Sequence, residues 1–212
     1  NWEALTDHHD SIDTLRELVL DLAVSGRLSD AERDLATGLP STWLISPLGK
    51  FARLRRGFDL PKQSRAEGGV PIYGANGQVG THSEAAGAGP GVVTGRSGTI
   101  GRVHHVEGEF WPLNTALYVE DFFGNDPEYA AIVLRSIRLE RFSSYSAVPT
   151  LNRNVAHREL VGVPPLREQR QIVSKVKELT RLCDGLENAL RSRSAAGAAL
   201  AGIGEGTARV AP

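Results

Sequence analysis

The hydrophobic and polar positions of this chain first follow a helical pattern. Apolar side chains and one histidine recur at alternating spacings of three and four residues, at Leu5, His8, Ile12, Leu15, Val19 and Leu22. This spacing is typical of a helix that packs along another helix. We expect Asp10 or Ser11 to cap this helix and Gly26 to end it. The pattern predicts an N-terminal helix within residues 1–28 and a polar connector over residues 29–41.

From residue 42 to residue 165 the pattern changes to short β-rich runs separated by glycine-containing turns. The runs that predict strands are Phe51–Leu54, Val70–Tyr73, Val92–Thr94, Ile100–Val106, Ala116–Val119 and Leu160–Val163. Asp126 before Pro127 is a good helix start, and the apolar residues that follow predict a helix to about Phe142. Residues 42–165 are therefore predicted to form one mixed α/β domain.

A second helical pattern begins after Pro164 and Pro165, which end the last predicted strand. Its apolar positions are spaced by four and three residues, at Ile172, Val176, Leu179, Cys183, Leu186 and Leu190. This seam predicts a coiled-coil helix over residues 166–193, and the Ala- and Gly-rich residues 194–212 are expected to form a flexible tail. The predicted fold class is α+β, with one mixed α/β domain between two long coiled-coil-forming helices.

Composition narrows the classes of protein to which the chain can belong. Its 212 residues carry a net charge of −1, one cysteine and no methionine. Without a long apolar run or a second cysteine, we expect a cytoplasmic protein with no membrane span. The missing methionine suggests a piece excised from a longer product. Residues 1–39 hold three basic against nine acidic side chains, whereas residues 166–193 hold seven against four, and this asymmetry suggests separate partners.

The sequence predicts neither a catalytic site nor a metal site. The glycines of Gly95–Gly101 are spaced G-x-x-G-x-x-G, which is not the spacing of a dinucleotide or phosphate-binding loop. Four of the six histidines form two adjacent pairs, His8-His9 and His104-His105. Neighbours on a strand point to opposite faces, so one such pair cannot chelate a metal. Cys183 lies on the helix seam and is expected to be a packed apolar residue. We expect the chain itself to hold no cofactor.

Polar side chains suited to nucleic acid collect in the predicted loops and strand ends of the mixed domain. Arg, Asn and Gln pair with base edges, and Arg, Lys, Ser and Thr hold phosphates, although Asn and Gly are also common turn residues. By residue type and loop placement, the candidate DNA contacts are Arg53, Arg55, Arg56, Lys62, Asn76, Gln78, Arg96, Ser97, Tyr145, Asn152 and Arg153.

Six segments in order carry a resemblance to a known family. They are Leu15–Leu28, Ile72–Gly77, Thr94–Gly101, Phe110–Val119, Pro149–Arg153 and Val163–Val173. Each segment alone is weak evidence, but the ordered set over residues 12–190 is specific. The chain resembles the DNA specificity subunit of type I restriction-modification systems, with residues 42–165 as its target recognition domain.

The resemblance implies a non-catalytic protein of a phage-defence system. In this family a recognition domain reads one half of a split sequence in double-stranded DNA. The flanking helices form an antiparallel bundle that spaces two such domains and docks adenine-N6 methyltransferase subunits. Those partners bind S-adenosylmethionine, and a separate restriction and translocase subunit uses ATP.

The chain departs from the usual family pattern because it has one recognition domain and no internal repeat. It is expected to pair with a second copy of itself, or to be half of a longer specificity subunit. It could instead be the recognition module of a fused methyltransferase-nuclease, or an interaction module that does not bind DNA. An adenine methyltransferase would carry an Asn/Asp-Pro-Pro-Tyr/Phe motif, whereas the Pro-Pro of this chain is followed by Leu166.

Overall fold

The computed structural model describes residues 9–144 and 149–206. Side chains are described for residues 11–144 and 149–193. The chain forms two compact units, one of residues 1–19 with residues 175–212 and one of residues 20–174. Leu5, His8 and Tyr145, which the sequence analysis placed in the helix seam and among the DNA contacts, lie outside the described residues.

Helices and short strands follow one another along the described chain. The helices are α1 (His9–Val24), α2 (Leu48–Phe51), α3 (Pro127–Ser136), α4 (Arg153–Ala156) and α5 (Leu166–Gly206). The strands are β1 (Leu44–Pro47), β2 (Arg53–Arg56), β3 (Val70–Gly74), β4 (Gly77–His82), β5 (Gly91–Gly95), β6 (Val103–Val106), β7 (Trp111–Pro112), β8 (Ala116–Asp121) and β9 (Leu160–Val163). Short 3-10 turns cover Lys62–Ser64 and Leu139–Phe142.

The smaller unit consists of helical segments, and one arginine joins them. The Arg16 guanidinium lies 2.8 Å from Asp184 and 2.6 Å from Glu187, and these carboxylates raise the pKa of Arg16. Ile12, Val19, Val176 and Cys183 are buried.

The predicted interface residues of the two helices differ in exposure. Ile172 is buried like those four seam residues, and Leu22, Leu179 and Leu190 are half-buried. Leu15 and Leu186 are 39% and 38% exposed, and Leu18 and Leu182 beside them are more exposed still. Whether these residues form a coiled-coil interface stays a prediction.

The larger unit contains three small sheets. A four-stranded sheet has the order β2-β8-β5-β6, a three-stranded sheet has the order β4-β3-β7, and β1 pairs with β9. In the four-stranded sheet all neighbouring strands are antiparallel. Helix α3 packs against β5 and β6. A buried cluster of Val93, Val106, Phe110, Ala116 and Tyr118 forms part of the core.

Two predicted strands are shorter in the structure or displaced along the chain. The strand predicted over Phe51–Leu54 begins only at Arg53, because Leu48 and Phe51, three residues apart, are both buried by a helical turn. The strand predicted over Ile100–Val106 begins at Val103, because Gly101 has a φ of +91° that interrupts extended backbone. The strand over Leu160–Val163 is confirmed.

Helix ends also differ from the sequence-based expectations. Asp10 and Ser11 were expected to cap α1 but lie inside it, since the helix already includes His9. Helix α3 begins as predicted, with the Asp126 carboxylate accepting hydrogen bonds from the backbone N–H of Glu128 and Tyr129. It ends at Ser136 rather than near Phe142, because Arg138 has a left-handed φ of +51°. The α5 backbone is helical to Gly206, past the predicted end at residue 193.

A buried glutamine ties the start of α5 to the mixed domain. Gln169 is 1% exposed. Its Oε1 accepts a hydrogen bond of 2.8 Å from the backbone N–H of Asp126, the cap of α3. Its Nε2 donates to Asn125 Oδ1 at 2.8 Å and to the Pro164 carbonyl at 2.9 Å. One side chain therefore satisfies three polar groups at a junction where Gln169 and Pro164 are buried and Asn125 and Asp126 half-buried.

Its neighbour Glu168 adds two further hydrogen bonds to the same junction. Trp43 Nε1 donates to Glu168 Oε1 at 2.7 Å, and Thr42 Oγ1 donates to Glu168 Oε2 at 3.1 Å. Trp43 is itself buried. Consecutive residues of α5 therefore hold both the start of β1 and the cap of α3.

We predict that Gln169→Leu lowers the free energy of unfolding by about 2 kcal/mol, because it leaves three buried or half-buried polar groups without this partner. Denaturant unfolding followed by circular dichroism measures the change. Gln171→Leu is the control, since Gln171 is exposed on the same helix and its loss is expected to stay within about 0.5 kcal/mol. Equal losses in the two variants would contradict the role given to Gln169.

Candidate nucleic-acid interface

A cleft on the mixed domain brings together four of the residues predicted to contact DNA. It has a volume of about 400 Å³. Its lining consists of three arginines, two hydroxyl side chains, one amide and two leucines: Arg56, Arg96, Leu117, Ser144, Thr150, Leu151, Asn152 and Arg153. Leu117 and Leu151 are buried, so the cleft has an apolar base and a cationic, polar wall.

The loop that carries Arg96 is fixed by its backbone. Arg96 N donates to the Thr115 carbonyl at 2.9 Å, and the Arg96 carbonyl accepts from Leu151 N at 2.8 Å. A Cβ on Gly95 would lie 1.8 Å from the Thr99 carbonyl oxygen and 2.9 Å from that of Ala75. A side chain at position 95 would clash with these oxygens, so the loop requires glycine there. The loop also lies against the turn between β3 and β4.

The opposite wall of the cleft begins at Asn152. The Asn152 Oδ1 accepts hydrogen bonds from the backbone N–H groups of Asn154 and Val155 and so caps α4. This cap places Arg153 at the first position of α4. The role of Asn152 in the structure is therefore to position Arg153.

The arginines of the cleft differ in their access to carboxylates. Among the described side chains, those of residues 11–144 and 149–193, no carboxylate forms an ion pair with Arg96 or Arg153. Arg56 lies 4.0 Å from Asp59, which also accepts a hydrogen bond from the side-chain amide of Asn114. The cleft therefore keeps a net positive charge that is available to an anion.

Arg53 and Arg55 are different, because acidic residues of β8 neutralise them. Arg53 lies 3.4 Å from Glu120 and 3.1 Å from Asp121, and Arg55 pairs with Glu120. The Glu120 carboxylate raises the pKa of Arg55. The Arg53 guanidinium also stacks 5.2 Å from the Phe123 ring. These two side chains stabilise the pairing of β2 with β8, and neither lines the cleft.

The other candidate contacts lie outside the cleft lining. Asn76 and Gln78 are exposed at the β3–β4 hairpin, whose turn includes Gly77 with a φ of +114°. Lys62 is exposed in a 3-10 turn. Ser97 is half-buried beside Arg96 and bridges to Thr150.

Ser144 and Thr150 line the cleft but were not among the residues chosen from the sequence. Ser144 N donates to the Thr150 carbonyl at 3.0 Å, so the two residues lie next to each other. Their sequence separation gives no periodic signal. Residue type alone was the available clue, since hydroxyl side chains commonly hold phosphates.

The described residues contain no group of three or more His, Cys, Asp or Glu side chains that could hold a metal ion. Among the same residues, no helix is both long and apolar enough to cross a membrane.

The sequence of residues 40–193 matches the type I restriction modification DNA specificity domain. The chain belongs to this family. The match confirms the resemblance seen in the sequence. Specificity domains are non-catalytic components of restriction-modification complexes, in agreement with the expectation that the chain is not an enzyme. No curated protein matches the sequence.

Three solved structures share the fold of this specificity domain. The S subunit of a type I restriction-modification system from M. genitalium is 19% identical with a TM-score of 0.65, over 91% of this chain and 53% of that one. A chain from a structure of type I R-M complex assembly and conformational transition is 17% identical with a TM-score of 0.66, over 93% and 54%. The HsdS subunit from Thermoanaerobacter tengcongensis is 17% identical with a TM-score of 0.59, over 88% and 50%.

At these identities the similarity concerns the fold alone, and it confirms the mixed α/β character of the specificity domain. The chain spans about half the length of the three structures that it matches.

A histidine next to α4 holds the cleft wall of the specificity domain on the four-stranded sheet. His157 Nε2 accepts a hydrogen bond of 3.0 Å from the backbone N–H of Leu54 in β2, which requires a neutral ring. Burial lowers the pKa of His157 from its ordinary value of 6.5, and the charges of Arg153 and Arg53 lower it further. The neutral imidazole therefore stabilises the fold through this hydrogen bond, and protonation of Nε2 would remove the acceptor.

We predict that the specificity domain loses stability as the pH falls below the ordinary histidine pKa of about 6.5. A native pKa below the unfolded value means that the unfolded state binds more protons in that window, so the free energy of unfolding rises with pH. In His157→Gln the amide oxygen can still accept from Leu54 N but does not titrate. Denaturant unfolding from about pH 8 to about pH 5 should show a smaller slope in the variant. Identical slopes would show that His157 does not contribute.

Proposed function

We propose that this chain is a DNA recognition component, or half-component, of a type I-like restriction-modification system. The observation that carries the proposal is the cationic cleft, found in a chain that belongs to the DNA specificity domain family. Arg56, Arg96 and Arg153 supply charge for phosphates. Exposed amides on the β3–β4 hairpin supply paired donors and acceptors for base edges.

In this proposal the domain over residues 42–165 reads one half of a split site in double-stranded DNA. The contacts include Lys62 and Ser97 and, outside the described residues, Tyr145. Arg53 and Arg55 are given a smaller role than their positions in the sequence suggested. Their charges are already balanced by Glu120 and Asp121, so each would exchange an existing ion pair for a phosphate rather than add a new one.

The two long helices are proposed to pair as an antiparallel coiled coil with a second recognition unit. Half-exposed leucines on both helices, Leu15, Leu18, Leu182 and Leu186, leave apolar surface for such a contact. This chain covers about half of each solved structure of similar fold, which leaves room for a second unit. That unit is either another copy of the chain or the other half of a longer subunit. A helix pair would hold two half-sites a fixed number of base pairs apart.

The partners in this proposal are an adenine-N6 methyltransferase, which binds S-adenosylmethionine, and a restriction and translocase subunit, which uses ATP. The specificity component recruits them to the site that it recognises. It supplies no reacting group, so its contribution is measured as binding energy and as the choice of sequence.

The deciding experiment is adenine-methylation mapping in cells that express the chain with the methyltransferase of the same restriction system. We expect methylation of one split sequence, and replacing residues 42–165 by another recognition domain should change one half of that sequence. The exchanged chain must still fold and bind the methyltransferase, which co-purification checks. An unchanged methylated sequence after exchange, or no methylation that depends on the chain, would refute the proposal.

We predict that Asn76→Ala or Gln78→Ala relaxes sequence preference at one base pair each, because each variant removes an amide that can pair with a base edge. The expected loss of discrimination is about 1–3 kcal/mol per contact. Competition binding with duplexes that differ at single positions measures it. Thr81→Ala, an exposed position on the same β4 strand, should leave the preference unchanged. Relaxation by all three variants alike would indicate a general distortion of the hairpin.

A further inference from the structure

The cleft differs in shape from the rest of the proposed DNA-binding surface. It is recessed, with a volume of about 400 Å³, whereas Asn76 and Gln78 are exposed at a hairpin. Base edges lie at the bottom of grooves, about 8.5 Å deep on the major-groove side, so only projecting side chains reach them. Phosphates project from the duplex and fit into a recess. The shape of the cleft therefore favours a phosphate over a base.

We propose that the cleft lined by Arg56, Arg96 and Arg153 is a phosphodiester site, which holds one backbone phosphate of the DNA and fixes the register of the domain without reading sequence. The inference rests on the proposed function and assigns one of its contacts. The ligand is an anion of the DNA backbone, bound by guanidinium groups and hydroxyl side chains.

Charge supports this assignment. None of the eight described residues that line the cleft is acidic, and three of them are arginines. Asp59 lies 4.0 Å from Arg56 but is exposed, so its attraction for that guanidinium is weak. Three like charges around one cavity repel each other, and the attraction of each to a bound anion offsets that repulsion.

The cleft is also preorganised, which lowers the entropic cost of binding. The backbone of Arg96 is hydrogen-bonded on both sides, to Thr115 and to Leu151. The cap formed by Asn152 fixes the start of α4, and His157 anchors the end of that helical turn on β2. The two walls therefore present Arg96 and Arg153 from held segments of backbone rather than from free loops.

A phosphate contact and a base contact respond differently to substitution. Loss of a phosphate contact weakens binding to every sequence equally and reduces the slope of log affinity against log salt by about 1. Loss of a base contact weakens binding mainly to the preferred sequence. An ammonium can replace a guanidinium on a phosphate as a point charge, but not in a bidentate pair with guanine.

The test measures the affinity of the full chain, with its methyltransferase partner, for its selected duplex and for a scrambled duplex over a series of salt concentrations. Arg96→Ala should weaken both duplexes by the same factor, roughly ten-fold or more, and reduce the salt slope by about 1. Arg96→Lys should recover most of the affinity. Arg27→Ala removes the same charge from an exposed position outside the cleft lining and should have a much smaller effect.

A second arm identifies the phosphate itself. Methylphosphonate groups are placed one at a time along the selected duplex, each of which removes one backbone charge. At one position the neutral linkage should weaken binding by the wild-type chain but not by Arg96→Ala. Arg153→Ala should show the same loss of sensitivity at the same position. Thermal melting of each variant verifies that it is folded. If folded Arg96→Ala and Arg153→Ala both remain sensitive to the neutral linkage at that position, the result counts against the site.

Three results would overturn the inference. One is a loss confined to the selected sequence, with no rescue by Arg96→Lys, which would make Arg96 a base contact. Another is an unchanged DNA affinity in Arg96→Ala while inorganic phosphate binds the wild-type cleft, which would assign the cleft to a soluble anion. Finally, if the wild-type chain with its partner binds no duplex at all, the proposed function fails, and this inference fails with it.

Discussion

The structure of the larger unit depends on the hydrogen bonding of one buried amide. Gln169 belongs to the first turn of α5, yet its three partners belong to the cap of α3 and to the segment that leaves β9. An amide side chain has both donors and an acceptor, and here both kinds are used in a site from which water is excluded. No apolar residue could satisfy the same groups. The first turn of α5 is therefore coupled to the packing of α3 on the sheet.

The sheets in turn decide which arginines are available to a ligand. Alternation along β2 places Arg53 and Arg55 on one side, where carboxylates of β8 balance them, and directs Arg56 to the other side, into the cleft. Three arginines within four residues thus have two different tasks. A net charge close to zero is compatible with nucleic-acid binding, because Glu120 and Asp121 pair with Arg53 and Arg55 rather than with the arginines of the cleft.

Much of the fold follows from local sequence patterns, and the failures have physical causes. Strand β9 and the Asp126 cap were predicted because proline and alternating apolar residues act locally. The break at Arg138 was missed because a left-handed residue other than glycine leaves no sequence signal. In the candidate site, residue type was enough to select Arg56, Arg96 and Arg153. It was not enough to separate them from Arg53 and Arg55, since the ion pairs with Glu120 and Asp121 depend on the pairing of strands 60 or more residues apart.

The pairing of β1 with β9 brings the two ends of the mixed domain together. Leu44 lies opposite Val163 and Pro47 opposite Leu160, so the chain enters and leaves the domain on two hydrogen-bonded strands, whose backbones lie about 4.8 Å apart. The residues between β1 and β9, which include both walls of the cleft, begin and end at this pair of strands. The spacing of these ends is set by backbone hydrogen bonds between β1 and β9, and not by any side chain of the sequence between them. The domain can therefore vary in length or sequence between the two strands without changing the distance between its ends.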